Sequence, residues 1–331
     1  FFFNPHPANR HSSTSRGLGD VYKRQGWLSA TVGFAAPTAL VAITAGFYLQ
    51  SIYPSVSVTF FAIGLVSVIS LFHLFSRSTS GKFQVIFTTA KIVLISGFIF
   101  SALFFSDQIQ DIRWVPQKSD LRLIGDGSFA IALIYVSYAY TGWNAATYLA
   151  GEIEDVQSEI PKVLVRGTLI VTALYVLLHI VFLSVAPMDA MQGKLEVAYV
   201  AASYAFGHET AQWFSLMLCV LLISTASAMI VSGPRTLQTI GQDFVFLSFL
   251  SKENNAGIPQ QAILFQLILT IILISTSSFE AILMFSGFAL GLNTLLTVLG
   301  VWRLRNYHPS VKRPFEVPWY PWPMIFFVAL M

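Results

Sequence analysis

The feature that most limits the folds open to this chain is a series of long stretches without charge. Residues 26–75, "GWLSATVGFAAPTALVAITAGFYLQSIYPSVSVTFFAIGLVSVISLFHLF", contain no Asp, Glu, Lys or Arg. A helix needs about 20 mainly apolar residues to cross the hydrocarbon core of a bilayer, so this stretch alone holds two crossings. Similar runs recur to the end of the chain. The candidate spans are 27–49, 55–75, 83–105, 128–150, 163–187, 211–233, 261–277 and 279–302, with a ninth beginning near Trp319. Composition agrees: 55% of the 331 residues are hydrophobic and only 11% charged, against roughly a quarter charged in soluble domains. The expected fold class is an all-α polytopic membrane protein with the lipid bilayer as its solvent.

Several function classes drop out early. A net charge of +3 gives no basis for a nucleic-acid partner. The single cysteine, Cys219, excludes an internal disulfide and any thiolate metal cluster, and its apolar surroundings make it a packing residue. The six histidines are scattered, with only His73 and His179 inside spans, so no metal site is expected and no cofactor is implied. A polytopic membrane enzyme would need a nucleophile or metal constellation at the membrane face, and none is visible. A channel would need a polar row repeated across spans. The acidic group Glu152, Glu154, Asp155 and Glu159 reads as a solvated cytoplasmic loop.

Residues 1–25, "FFFNPHPANRHSSTSRGLGDVYKRQ", differ in texture from everything after them: polar, without periodicity, and ending where the apolar runs begin. "GDVYKRQ" resembles translated adapter sequence, so this leader is set aside as non-native. A natural disordered tail is the alternative. Residues 26–331 are taken as the transmembrane domain.

Loop charges set the orientation. Loops after the second, fourth, sixth and eighth spans carry Arg77, Lys82, Lys162, Arg166, Arg235, Lys252, Arg303, Arg305, Lys312 and Arg313. The opposite loops carry Arg113, Lys118, Arg122 and Lys194. Ten positive residues against four place the even-numbered loops in the cytoplasm. The first span therefore runs outward and the fourth inward.

The fourth span is interrupted. "IYVSYAYTGWNAATYLAGE", residues 134–152, sets a Thr-Gly pair and an Asn in an apolar run. An unsatisfied backbone group costs several kcal/mol in hydrocarbon, so broken helices persist only beside protein or a water-filled cavity. Transporters place such breaks at the substrate, where freed amides, carbonyls and half-helix dipoles meet its charges. Gly142 permits an unusual backbone angle, Thr141 and Asn144 supply hydrogen bonds, and Tyr138, Tyr140 and Trp143 supply flat apolar walls. The pattern is equally compatible with Gly142 as a close-packing residue and Asn144 as an interhelical hydrogen bond.

"YAYTGWNAATYLAGEIEDVQSEIPK" resembles the sixth helix and following loop of amino acid permeases of the amino acid–polyamine–organocation superfamily. That family shows aromatic-Ala-Tyr-small-Gly-Trp-Asn, then an acidic residue and a proline, matched here by Tyr138 to Asn144, Glu152 and Pro161. Thr141 stands where many members have a second glycine. "GWLSATVGFAAPTALVAITAGFYL" resembles the third helix, "FQVIFTTAKIVLISGF" the fifth, and "STASAMIVSGPRTLQTIGQDF" the eighth, followed by Pro259 before the ninth. The resemblance implies a five-plus-five inverted-repeat (leucine-transporter-like) fold, here partial. The spans become family helices three to ten with the start of eleven, and helices one and two have no counterpart. The implied function is secondary transport of an amino acid or related amine, proton-coupled or by exchange, in a bacterial inner (plasma) membrane. The implied substrate contacts are Tyr138, Ala139, Tyr140, Thr141, Gly142, Trp143 and Asn144, with the α-amino group on backbone carbonyls near Tyr138–Thr141.

Lys91 lies about a third of the way along the third span. A lysine at a helix centre costs roughly 2.5–3.5 kcal/mol on insertion scales, so it needs a partner or a task. It either snorkels to the cytoplasmic interface or, as the resemblance implies, takes the place of a sodium ion on the fifth helix. Ser224, Thr225 and Ser227 would supply hydroxyls near that place, with the proton favoured over sodium as the coupling ion. Each of these hydroxyls could instead bond its own helix backbone. Asn293 in the eighth span is left without a role. Trp319, Tyr320 and Trp322 read as interfacial aromatics.

Overall fold

A computed structural model describes residues 13–75, 81–106, 109–113, 115, 117–143, 155–310, 313 and 315–331. The described residues form helices and loops, with no strand. The helices are α1 (Ser13–Gln50), α2 (Val58–Phe75), α3 (Gly81–Phe105), the short α4 (Leu121–Ile124) and α5 (Gly127–Ala139). They continue as α6 (Val156–Val185), the short α7 (Met188–Met191), α8 (Val197–Phe206), α9 (His208–Asp243), α10 (Gln260–Thr276), α11 (Phe279–Tyr307) and α12 (Trp322–Leu330).

The centre of the bundle is α1, which packs against α2, α9, α10 and α11. Its contact face is built from small residues: Ala35, Ala36, Ala39, Ala42 and Ala45 are all at most 1% exposed. Lipid offers no hydrophobic incentive for helices to associate, so close approach and dispersion must hold them together, and small side chains permit both. Gly46 shows how close the approach is, since a Cβ there would lie 2.9 Å from Val58 Cγ1. One apolar cluster joins Ala36, Ala39 and Leu40 of α1 to Val66 and Ile69 of α2, Ala226 and Ile230 of α9, Ile274 of α10 and Ile282 of α11.

The outer helices have the reverse pattern. α3 packs on α6 and α9, and α5 packs on α11. Their remaining faces turn large apolar side chains outward, among them Phe104 at 68% and Leu169 at 64% exposure. An aqueous protein would bury such residues; here lipid covers them. Among the described residues six helices are long and apolar enough to cross a membrane, or seven if the bent pair Lys118–Ile124 and Gly127–Ala139 is one span, and the chain is an integral, multi-pass membrane protein.

The structure differs from the expected spans at several points. α1 begins at Ser13, inside the leader set aside above, and runs unbroken into the first span. In the described part of the fourth span the helix is α5, 13 residues long and bent by 69° from the turns of helix at Lys118–Ile124. Asp126 starts α5 by accepting from the Ser128 amide at 3.4 Å, a side-chain cap that resets the helix direction. α9 does not end near residue 233 but continues through Pro234 to Asp243. Finally, α8 forms in what was taken for a loop, burying Ala201 and Ala202 against Phe98 of α3 and Val181 of α6.

Candidate functional site

α5 stops at Ala139, and the chain leaves the helix through a tight turn. The amides of Tyr140 and Thr141 reach back only three residues, to the carbonyls of Ser137 at 3.2 Å and Tyr138 at 2.9 Å. The Thr141 hydroxyl donates to the same Tyr138 carbonyl at 2.7 Å. Gly142 then takes φ +91°, a backbone angle that side chains disfavour. Asn144, Glu152 and Glu154 lie outside the described residues.

Two tyrosines fasten this break to α6. The Tyr175 hydroxyl donates to the Ala139 carbonyl at 3.3 Å, satisfying a group that the ended helix would otherwise leave open. The Tyr140 hydroxyl donates to Thr172 Oγ1 at 3.1 Å, and its ring meets that of Tyr175 edge-on, with centroids 5.5 Å apart. Tyr138 is half-buried and packs against the central cluster that contains Ala226 and Ile230 of α9. Trp143 is exposed and lines an open groove of about 370 Å³ with Leu164, Val165, Thr168 and Leu169 of α6. Of the carbonyls expected near an amino group, those of Tyr138 and Ala139 thus already accept hydrogen bonds from within the chain. The Tyr138 carbonyl accepts from both the amide and the hydroxyl of Thr141, so of the two only that of Ala139 keeps a second lone pair.

Lys91 points into the protein. Its Nζ donates to Thr225 Oγ1 at 2.7 Å, linking α3 to α9. Thr225 can accept because its own proton is directed to the Leu221 carbonyl one turn back, at 3.1 Å. A charge-assisted bond of this kind contributes about 1.5–3 kcal/mol, comparable to the cost of bringing the ammonium into the bilayer. Ser224 is buried beside Thr225, and its Oγ has no hydrogen-bond partner.

Ser227 does not join that group. Its Oγ is hydrogen-bonded to His73 Nε2 of α2 at 2.9 Å. His73 is 5% exposed and was given no role from sequence. The available signal was an imidazole in an otherwise apolar span, which demands a partner for the same reason as Lys91 does. His179 instead bonds the Tyr175 carbonyl on its own helix at 2.7 Å. Among the described residues no group of three or more His, Cys, Asp or Glu could hold a metal ion. Of the acidic group, Asp155 caps α6 by accepting from the Ser158 amide at 3.4 Å, and Glu159 pairs with Lys162 at 2.9 Å on the exposed surface.

Comparison with known proteins names the family. A family model described as amino acid permease matches residues 25–331. The chain belongs to this family. Its similar proteins include mouse solute carrier family 7 member 12, 26% identical over 244 residues, covering 73% of this chain and 52% of the relative. The human b(0,+)-type amino acid transporter 1 is 25% identical over 282 residues, covering 83% of this chain and 56% of the relative. The serine/threonine exchanger SteT of Bacillus subtilis is 26% identical over 273 residues, covering 81% and 61%. The permease chain thus spans a little over half the length of these curated relatives.

Proposed function

We propose that this permease carries out secondary transport of an amino acid or related amine, coupled to protons or run as an exchange. The observation that supports it most is the Lys91–Thr225 contact of 2.7 Å in a chain whose α5 helix ends at Ala139 and turns through Gly142 at φ +91°. The α-amino group is held by the carbonyls of Tyr140 and Thr141, with the second lone pair of the Ala139 carbonyl adding to the site. Trp143 and Tyr138 form its apolar walls, and Asn144 supports the break. The names of the relatives agree in kind, since one is an amino acid transporter and another a serine/threonine exchanger. In this reading the ammonium of Lys91 fills the place that the resemblance gives to sodium, which favours the proton or plain exchange. The five-plus-five repeat supplies the alternating access. A bacterial inner membrane is the proposed location.

The test is Lys91→Met in the full-length protein reconstituted in liposomes. Methionine removes a desolvation cost of roughly 2.5–3.5 kcal/mol and a bond worth about 1.5–3 kcal/mol, so stability in detergent should change little. Uptake of labelled amino acid should lose most of its pH dependence. Uptake that keeps its full pH profile with Met at this position would remove Lys91 from coupling.

A further inference from the structure

We infer that His73 is a positioning residue for the coupling lysine, acting through Ser227 to fix the rotation of α9. This rests on the function proposed above, because it assigns His73 a task at the same site. Thr225 and Ser227 are two residues apart on one helix, so their side chains project roughly 200° apart around its axis. Lys91 of α3 holds the first at 2.7 Å, and His73 of α2 holds the second at 2.9 Å. On these two faces α9 is held by one polar contact each, to α3 and to α2, beside its contacts to α1 through Ser215 and to α10 through the Met229 carbonyl.

The His73 contact is the better anchored of the two. α2 packs against α1, α9 and α10 in the centre of the bundle, whereas α3 lies on the outside. Leu74, the next residue, is buried with Ile258 and Ile263, and its carbonyl accepts from Gln260 Nε2 at 3.1 Å. The imidazole is 5% exposed and Phe72 meets its ring edge-on at 5.4 Å, so the ring has little room to turn. A buried imidazole that lost Ser227 would leave a polar nitrogen unpaired, which ties the rotation of α9 to this bond. Thr225 needs that rotation, because its oxygen accepts from Lys91 only while its proton stays on the Leu221 carbonyl. His73 does not touch a substrate in this arrangement; it sets where Thr225 meets the ammonium.

The experiment measures Lys91 directly and transport separately, in the full-length protein in liposomes. Labelling by a small amine-reactive reagent is followed by mass spectrometry, with the exposed Lys162 as internal reference. Lys91 should label at least tenfold more slowly than Lys162 in the unaltered protein. Ser227→Ala and His73→Leu should each narrow that ratio at least threefold, and the double variant should narrow it no further. His73→Gln, which keeps a polar group near the imidazole Nε2, should restore it. Amino acid turnover should fall in the same two variants while KM holds, because the substrate contacts of α5 are untouched. If His73→Leu does not fold, Ser227→Ala decides the matter with the imidazole in place. A labelling ratio unchanged in Ser227→Ala, or additive effects in the double variant, overturns the inference. If labelling responds as described and no variant or parent transports an amino acid, the positioning role stands and the transport reading falls.

Discussion

The break in α5 can be tested without disturbing any side chain, through Gly142→Ala. A Cβ at Gly142 meets nothing within 4 Å, so the substitution adds no clash and isolates the backbone. The backbone is what matters there, since φ is +91°, where an L residue is strained by about 1–3 kcal/mol. Gly64, inside α2, also has open space at its Cβ, but it lies in regular helix. Alanine should be neutral or stabilising there by about 0.5–1 kcal/mol. The two substitutions are thus matched in size and surroundings and differ only in the angle required. If substrate binds the turn in this conformation, the strain of Gly142→Ala appears in the affinity. At 1.4 kcal/mol per factor of ten, amino acid binding should weaken by about 5- to 100-fold. Gly64→Ala should leave it within twofold. Isothermal titration of both variants in detergent, with thermal unfolding run alongside, gives the comparison. Equal affinity in both would show that the turn at Gly142 is a packing feature and that the substrate binds elsewhere.

Gly233→Ala should destabilise the bundle, because its Cβ would overlap the Gln266 side chain and lie 2.8 Å from Phe34 Cβ. The loss should reach about 1–3 kcal/mol by thermal unfolding, the range for an overpacked interior, and Gln266→Ala should relieve part of it. In the loop before α4, Arg113 pairs with Asp120 at 2.8 Å and the Gln117 amide donates to the same carboxylate at 2.8 Å. The amide and then the guanidinium hold the Asp120 carboxyl below its ordinary value of 3.8. A depressed carboxyl contributes order above its unfolded value and loses it as pH falls through the folded one. Hydrogen exchange at the Gln117 amide should therefore be protected relative to Asp120→Asn from neutral pH down to about 4, with the difference vanishing below the folded value. Protection indifferent to Asp120→Asn at neutral pH would rule the contact out.

Most of the architecture was legible because the bilayer leaves few alternatives. Uncharged runs of sufficient length become helices, and the observed ends fall close to the expected ones for α2, α3 and α10. The ends that moved did so for reasons held in other parts of the chain. Pro234 should end or kink a helix, since it removes an amide and crowds the preceding turn. Yet α9 continues past it, and Gln266 of α10 donates to the Met229 carbonyl at 3.2 Å beside that turn. Gly233 leaves the space that Gln266 enters. Nothing within "SGPRTLQTIGQDF" reports a glutamine more than thirty residues away. The start of α6 at Val156 is hidden for a more local reason: its cap, Asp155, lies in a charged stretch that reads as a loop.

The polar residues divide in a similar way. Lys91 was readable because an ammonium in an apolar helix needs a partner, and hydroxyls on the eighth helix of the resembling family gave one direction to search. Its choice of Thr225 over Ser224 and Ser227 was not readable, because all three lie within one turn of the same helix. Packing decides it. Ser227 turns toward α2, where His73 holds it, and Thr225 turns toward α3. Ser224 is left buried and unpaired between them, at 3% exposure. Such a group costs about 1–3 kcal/mol in a protein interior. The three hydroxyls of α9 thus meet different surroundings: Thr225 accepts from Lys91, Ser227 bonds His73, and Ser224 is buried without a partner.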